Sequence, residues 1–127
     1  MAPLRFLDAG GGHGVNAGQW DGYPDERRRL FDVLRRTGWA SNVAVLSGDV
    51  HSSWAADLPV GAEFVSPSVT TDSFARTVLP RVPGASAVAR RWFLAQNRHL
   101  RLADIERHGY VTVDVTEERI HGDWWHV

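Results

Sequence analysis

Cysteine is absent from the 127-residue chain, which excludes a disulfide framework, a thiolate-bound zinc and a cysteine nucleophile. Lysine is absent too, since all 14 basic residues are arginine; a GC-rich coding sequence has the same effect, so no function is drawn from it. No apolar run reaches the roughly 18 residues that a membrane-spanning helix needs. Met1 to Gly14 contains no apolar core of the kind a signal peptide carries, and nothing else in the chain directs export. The net charge of −1 gives no field to gather nucleic acid or an anionic membrane surface. No internal repeat or low-complexity segment is present. The length suffices for one domain at most, burying about two-thirds of its unfolded surface if it closes a core.

Against these absences stands one dense stretch. Asn42 to Leu46, NVAVL, reads as a buried strand, and it runs directly into Ser47 to Trp54, SGDVHSSW. Ligands in open α/β sheets bind off the carboxyl ends of strands, which is where Asp49 and His51 stand. Gly48 supplies freedom to turn. One carboxylate oxygen and one imidazole nitrogen, two residues apart, can then enter the same small volume and take a cation. A Gly-Asp turn followed by a surface histidine is the plainer alternative. A catalytic metal takes about three or more protein ligands, so partners are expected from elsewhere. Ser52 and Ser53 beside His51 also raise an acyl-transfer hydrolase, but neither sits in a G-x-S-x-G elbow.

Residues Met1 to Gly18, with glycines clustered around His13, read as a flexible lead-in that holds His13 in solvent; no phosphate loop is formed there. Residues 19–127 make up the remaining unit. A helix is expected from about Pro24 to Thr37. Pro24 suits its first turn, Asp25 and Glu26 its positive end, Arg35 and Arg36 its negative end, and Gly38 its cap. Leu30, Phe31, Val33 and Leu34 give it an apolar side, and Arg27, Arg28 and Arg29 a solvated face. Asp21 either caps this helix or faces a cleft.

Trp39 to Leu46 returns as the strand behind the Asp49 loop, so helix and strand make an α/β unit. Ala55 to Leu58 lead to Pro59, and Val60 to Val69 forms a second strand interrupted at Pro67. The hydroxyl-rich Ser68 to Ser73 reads as a connection. Two helical pieces follow between Phe74 and Asn97, broken at Pro80 and Pro83, the second burying Val88, Trp92, Leu94 and Ala95. Asn97-Arg98-His99-Leu100-Arg101 is a polar knot that could hold an anion, with a solvated turn preferred. Gly109 to Val115 and Arg119 to Val127 form a β-hairpin with Ile120, Gly122 and Trp124 on one face.

Three stretches carry a resemblance: QWDGYPDERRRLFDVLRRTGWASNVAVLSGDVHSSWAADL, VGAEFVSPSVTTDSF and NRHLRLADIERHGYVTVDVTEERIHGDWW. In this order, over Gln19 to Trp125, the chain resembles the C-terminal part of the PhoD-like, or alkaline phosphatase D, family of calcineurin-like metallophosphoesterases. The resemblance implies an α/β fold, the C-terminal half of an αββα sandwich made of a helix-strand unit, further helices and the terminal hairpin. It implies calcium and iron at the strand ends, hydrolysis of phosphomonoesters and phosphodiesters, and proteins typically exported to the periplasm or beyond. The Gly48 to His51 loop then matches the G-H-x-H loop of related enzymes, which makes Asp49 and His51 metal ligands. Asp21, Asn97 and His99 take roles in holding substrate or steadying the ligands.

The family's earlier strands, which bring the first Asp ligands, the bridging Asp and the Asn, find no counterpart here. The expectation is therefore a fragment of a metal-dependent hydrolase of phosphate esters, inactive without the missing upstream metal ligands, which a separate upstream polypeptide could supply. Nucleic acid and membrane are not expected partners. The alternative is a non-catalytic remnant or a self-associating interaction module, exposing a sheet edge and an apolar face.

Overall fold

The computed structural model describes residues 6–7, 13–14, 18–79 and 81–127. The flexibility expected of the lead-in, the solvent exposure of His13 and the break at Pro80 lie outside the described residues. What is described ahead of Gly18 is a short antiparallel pair, β1 (Phe6–Leu7) with β2 (His13–Gly14).

A 3-10 turn at Trp20–Gly22 leads into α1 (Pro24–Arg36). The helix ends where its residues dictate. Pro24 opens it, and Gly38, at φ 83°, lets its own N–H and that of Trp39 return to the Arg35 and Leu34 carbonyls. Phe31 is the side chain that α1 buries, against Leu58 and Val60 with Leu34, Val43 and Val45 around them.

The chain then builds a four-stranded sheet from β3 (Val43–Ser47), β4 (Ser53–Leu58), β5 (Gly61–Val65) and β6 (Leu100–Asp104), in the order β3-β5-β4-β6. Strand β5 runs parallel to β3 and antiparallel to β4, and β4 is antiparallel to β6. Gly61 makes the β3–β5 approach close: a Cβ there would stand 1.9 Å from the Val43 carbonyl oxygen.

Several expectations are corrected here. Ala55 to Leu58, read only as an approach to Pro59, belongs to the interior strand β4. Trp54, Ala56 and Leu58 alternate into the core, and pairing on both edges outweighs the weak strand preference of Ala and Asp. Strand β5 stops at Val65 and does not run on to Val69, because Pro67 has no N–H to give a ladder. Strand β3 begins at Val43, leaving Trp39 57% exposed in the connection.

Two helices follow, α2 (Phe74–Val78) and α3 (Ala85–Gln96). The burial expected along α3 is also corrected. Val88 is 70% exposed, and Phe93 enters the core instead. Its ring meets Trp54 edge-on at 5.3 Å and Phe74 at 5.9 Å, contacts that helical periodicity alone cannot foresee.

Strand alternation separates the two faces of the sheet. Val43, Val45 and Leu58 meet α1, while Trp54, Ala56 and Val65 join the cluster of Phe93 on α3, so the helices share one face. Phe64 points to the other face and meets the terminal hairpin, β7 (Gly109–Val115) with β8 (Ile120–His126). The hairpin is docked at several points, among them the Gly109 N–H on the Ser68 carbonyl at 3.0 Å. Trp124 Nε1 donates to the Val65 carbonyl at 2.9 Å, Gly122 lies flush against the Phe64 ring, and His126 Nε2 is 3.3 Å from Ser53 Oγ and 4.0 Å from Asp104 Oδ2. The result is a mixed α/β fold, an open sheet with helices on one side and a hairpin on the other. No helix among the described residues is long and apolar enough to cross a membrane.

Two predictions follow from the docking. A Cβ at residue 122 would stand 2.6 Å from Phe64, so Gly122→Val should lower the unfolding free energy by about 1–3 kcal/mol, read from the urea midpoint. For Asp104, burial pushes the carboxyl upward, but hydrogen bonds from the Arg107 and Glu106 backbone N–H groups and the Arg107 guanidinium outweigh it and hold it below its ordinary value. A depressed folded pKa contributes stability that is present above the unfolded carboxylate value of about 4 and is lost as pH falls through the folded one. Asp104→Asn should therefore be destabilising near neutrality, with the gap to wild type closing below about pH 4 in thermal unfolding.

Candidate metal loop and its adjoining cavity

The loop after β3 does not turn on Gly48. The left-handed conformations fall on Asp49, at φ 73°, and His51, at φ 49°. Asp and His enter this region more readily than most side chains, yet it is sparsely populated and held only where the surroundings require it.

The surroundings of His51 are specific. Its carbonyl accepts the Phe74 N–H at 3.1 Å, and its Nδ1 lies 3.1 Å from the Asp72 carbonyl oxygen. A carbonyl can only accept, so in the neutral ring Nδ1 carries the hydrogen and Nε2 presents a lone pair. That is the tautomer a metal ligand needs, fixed through its other nitrogen. The support comes from the hydroxyl-rich segment that reads in sequence as a plain connection. Ser73 is fully buried and caps α2, accepting the Arg76 N–H, which fixes Phe74 beside it.

On the other side, Trp54 Nε1 donates to Ser52 Oγ at 2.6 Å and Ser52 Oγ donates to the Val50 carbonyl at 2.8 Å. The serine-nucleophile alternative ends here. Ser52 and Ser53 are fully buried, and the histidine that reaches Ser53 is His126, not His51.

A cavity of about 280 Å³ opens beside the loop, lined among others by Trp20, Asp21, Ser47, Asp49, Trp54 and Glu63. Asp21 enters it without capping α1, whose N-cap is Tyr23 with no side-chain bond. Asp21 accepts instead from Arg27 Nη1 at 2.6 Å, with the two side chains only 10% and 16% exposed. Arg27 thus leaves the solvated face expected of it, while Arg28 and Arg29, 68% and 81% exposed, remain there.

Asn97 and His99 are not among the residues that line this cavity. Asn97 is 2% exposed and closes α3, its Nδ2 donating to the Phe93 carbonyl at 2.9 Å. The solvated turn expected over Asn97 to Arg101 is corrected accordingly: the last carbonyls of a helix need donors, and Asn97 supplies one from inside. The His99 carbonyl accepts the Asp57 N–H at 2.8 Å. Arg101 faces solvent and pairs with Asp57, whose carboxyl it holds below the usual range.

The loop offers one carboxylate and one imidazole of fixed tautomer, a donor pair that fits a divalent or trivalent cation. Among the described residues no group of three or more His, Cys, Asp or Glu comes together as a metal cluster. Asp49 is among the residues that line the cavity and His51 is not, so the fit rests on the chemistry of the two side chains as part of a larger donor set. Glu63, buried on β5 and bonded by Ser47 Oγ at 2.6 Å, carries no role in the sequence reading; its signal was a lone acid inside the apolar run Gly61 to Val65.

An open α/β sheet with helices on one face and an Asp/His loop at a strand's carboxyl end resembles part of the sandwich of calcineurin-like phosphoesterases. Comparison with known proteins narrows this. A family model described as PhoD-like phosphatase matches residues 1–124, and the chain belongs to that family. It is 33% identical over 119 residues to "Alkaline phosphatase D" of Bacillus subtilis (strain 168), an alignment taking in 83% of this chain and 18% of that protein. A solved structure described as "Structure of PhoD" superposes with a TM-score of 0.67 at 29% identity, over 91% of this chain and 22% of that one. The chain therefore spans about a fifth of the length of the relatives it matches.

The tautomer assignment gives a direct prediction. Two-bond ¹H–¹⁵N spectra of the metal-free chain should show neutral His51 with a protonated Nδ1 and a bare Nε2; the reverse pattern would mean that the Asp72 contact is not made.

Proposed function

We propose that this chain carries the last metal-binding loop of a PhoD-type phosphoesterase, with Asp49 and His51 as ligands to a calcium or iron centre and a phosphate monoester or diester as substrate. One observation carries the reading: two adjacent-but-one residues with ligand chemistry hold left-handed backbone, and His51 commits Nδ1 to a carbonyl, leaving Nε2 for a cation. Membership in the family supports the hydrolase class. Cations bound at such a site polarise the phosphoryl oxygen and lower the pKa of bound water.

This chain's part is to hold donors and shape the pocket. His51 is held by the Phe74 and Asp72 backbone, and the Ser52 bridge ties the Val50 carbonyl that lies between it and Asp49 in the chain. Asp21, kept in place by Arg27, brings a carboxylate to the same cavity wall as Asp49 and suits a role toward substrate or bound water. Asn97 and His99 steady the corner from α3 into β6 behind that wall. Two ligands do not fix a metal cluster, so in this reading turnover draws on further donors, which an upstream polypeptide would supply.

A second reading, a self-associating module, draws on a different observation. Strand β3 lies at the end of the strand order and its Leu46 is 62% exposed, an edge open to pairing.

Metal content after dialysis against calcium and iron, with Asp49→Ala and His51→Ala beside wild type, tests the first reading. Wild type should retain about one ion per chain, and both variants should lose it. Equal retention by all three would remove the loop from the site. Light scattering on the same wild-type sample addresses the second reading, which a monodisperse monomer would end.

A further inference from the structure

Glu63 is the one acidic or basic side chain in the buried set of the described residues, 2% exposed. It projects from β5 between Val45 of β3 and Ala56 of β4. A carboxylate in such a place is costly unless hydrogen bonds compensate it, and an apolar residue would fill the same space at lower cost. One partner among the described residues is informative. Ser47 Oγ donates to Glu63 Oε1 at 2.6 Å, at the short end of the O–H···O range.

Ser47 is the last residue of β3 and stands two before Asp49. The β3–β5 ladder ends at its pairing with Val65, followed by one bond from the Ser66 N–H to the Ser47 carbonyl at 2.9 Å. Beyond this point the strand gives way to the Gly48–His51 turn. Rotation at Ser47 would swing Asp49, and the Glu63 bond opposes that rotation from two ladder pairs back, along the wall of the same cavity.

We propose that Glu63 is a positioning residue for the metal loop: through Ser47 it fixes the direction in which the loop leaves the sheet. The consequence for metal affinity rests on the function proposed above; the positioning itself does not. The bond supplies what the ladder no longer gives, and outer hydrogen bonds of this kind are a recurrent means of orienting metal ligands.

The test uses amide hydrogen exchange on the full, metal-free chain. The reporters are the Ser66 N–H, bonded to the Ser47 carbonyl, and the Phe74 N–H, bonded to the His51 carbonyl. Ser47→Ala removes the donor without leaving a large hole. Glu63→Met keeps the length without the charge, and Glu63→Gln keeps an acceptor oxygen. Ser47→Ala and Glu63→Met should each speed exchange at both reporters roughly tenfold, with amides of the β4–β6 ladder unchanged. Glu63→Gln should stay within about threefold of wild type, and the double variant should add little to the faster single one.

Reporters unmoved by Ser47→Ala, or acceleration spread evenly over β4 and β6, would overturn the proposal and leave Glu63 a general core residue. A calcium titration of the same samples separates the two claims. Weaker binding by Ser47→Ala than by wild type supports the link to the metal. A wild type without calcium affinity removes the metal reading, while the exchange pattern still decides the positioning.

Discussion

The pairing of β5 between β3 and β4 is the constraint on which the rest depends. Strand β5 is adjacent in sequence to β4 but lies in the sheet beside β3, in parallel register from Val43 with Gly61 to Ser47 with Val65. That register brings the carboxyl end of β3 level with the start of β4, where Ser52 and Trp54 lock the loop from behind. It also sets Glu63 beneath Ser47. The closeness needed for it is written into one residue, since any side chain at Gly61 would meet the Val43 carbonyl.

From this pairing the two faces take different work. The helix face is apolar and aromatic, with Phe93, Trp54 and Phe74 in edge-on contact, and it anchors the segment that aims His51. The opposite face takes the hairpin through Trp124 and the Phe64–Gly122 contact. The loop with Asp49 and His51 leaves at the rim between them, where a backbone freed from the ladder can adopt left-handed conformations and still be tied at both sides.

The chain belongs to the PhoD-like family and spans about a fifth of the length of the relatives it matches. Among the described residues the Asp49–His51 loop adjoins a cavity lined by Asp21, Asp49 and Glu63, and Leu46 on the edge strand β3 is exposed.

What was legible in the sequence was local. Pro24, the charged ends and Gly38 delimit α1 because caps and dipoles act within one turn. Alternation marks the terminal hairpin because its pairing partner is a few residues away, and Asn42 to Leu46 announces the loop because apolar strands run until a turn stops them. The Trp20, Ser47–His51 and Asn97–Arg101 motifs carried the family on residue identity alone. The interior strand β4, the burial of Phe93, the withdrawal of Arg27 from solvent and the internal closure of α3 by Asn97 all depend on partners distant in the chain. So does the meaning of Asp49 and His51: their identity was in the sequence, but the tautomer and direction of His51 come from Asp72 and Phe74, and those of the loop's root from Ser47 and Glu63. Side-chain chemistry is fixed by sequence; which oxygen or nitrogen it faces is decided only when tertiary contacts exclude water and supply the partner.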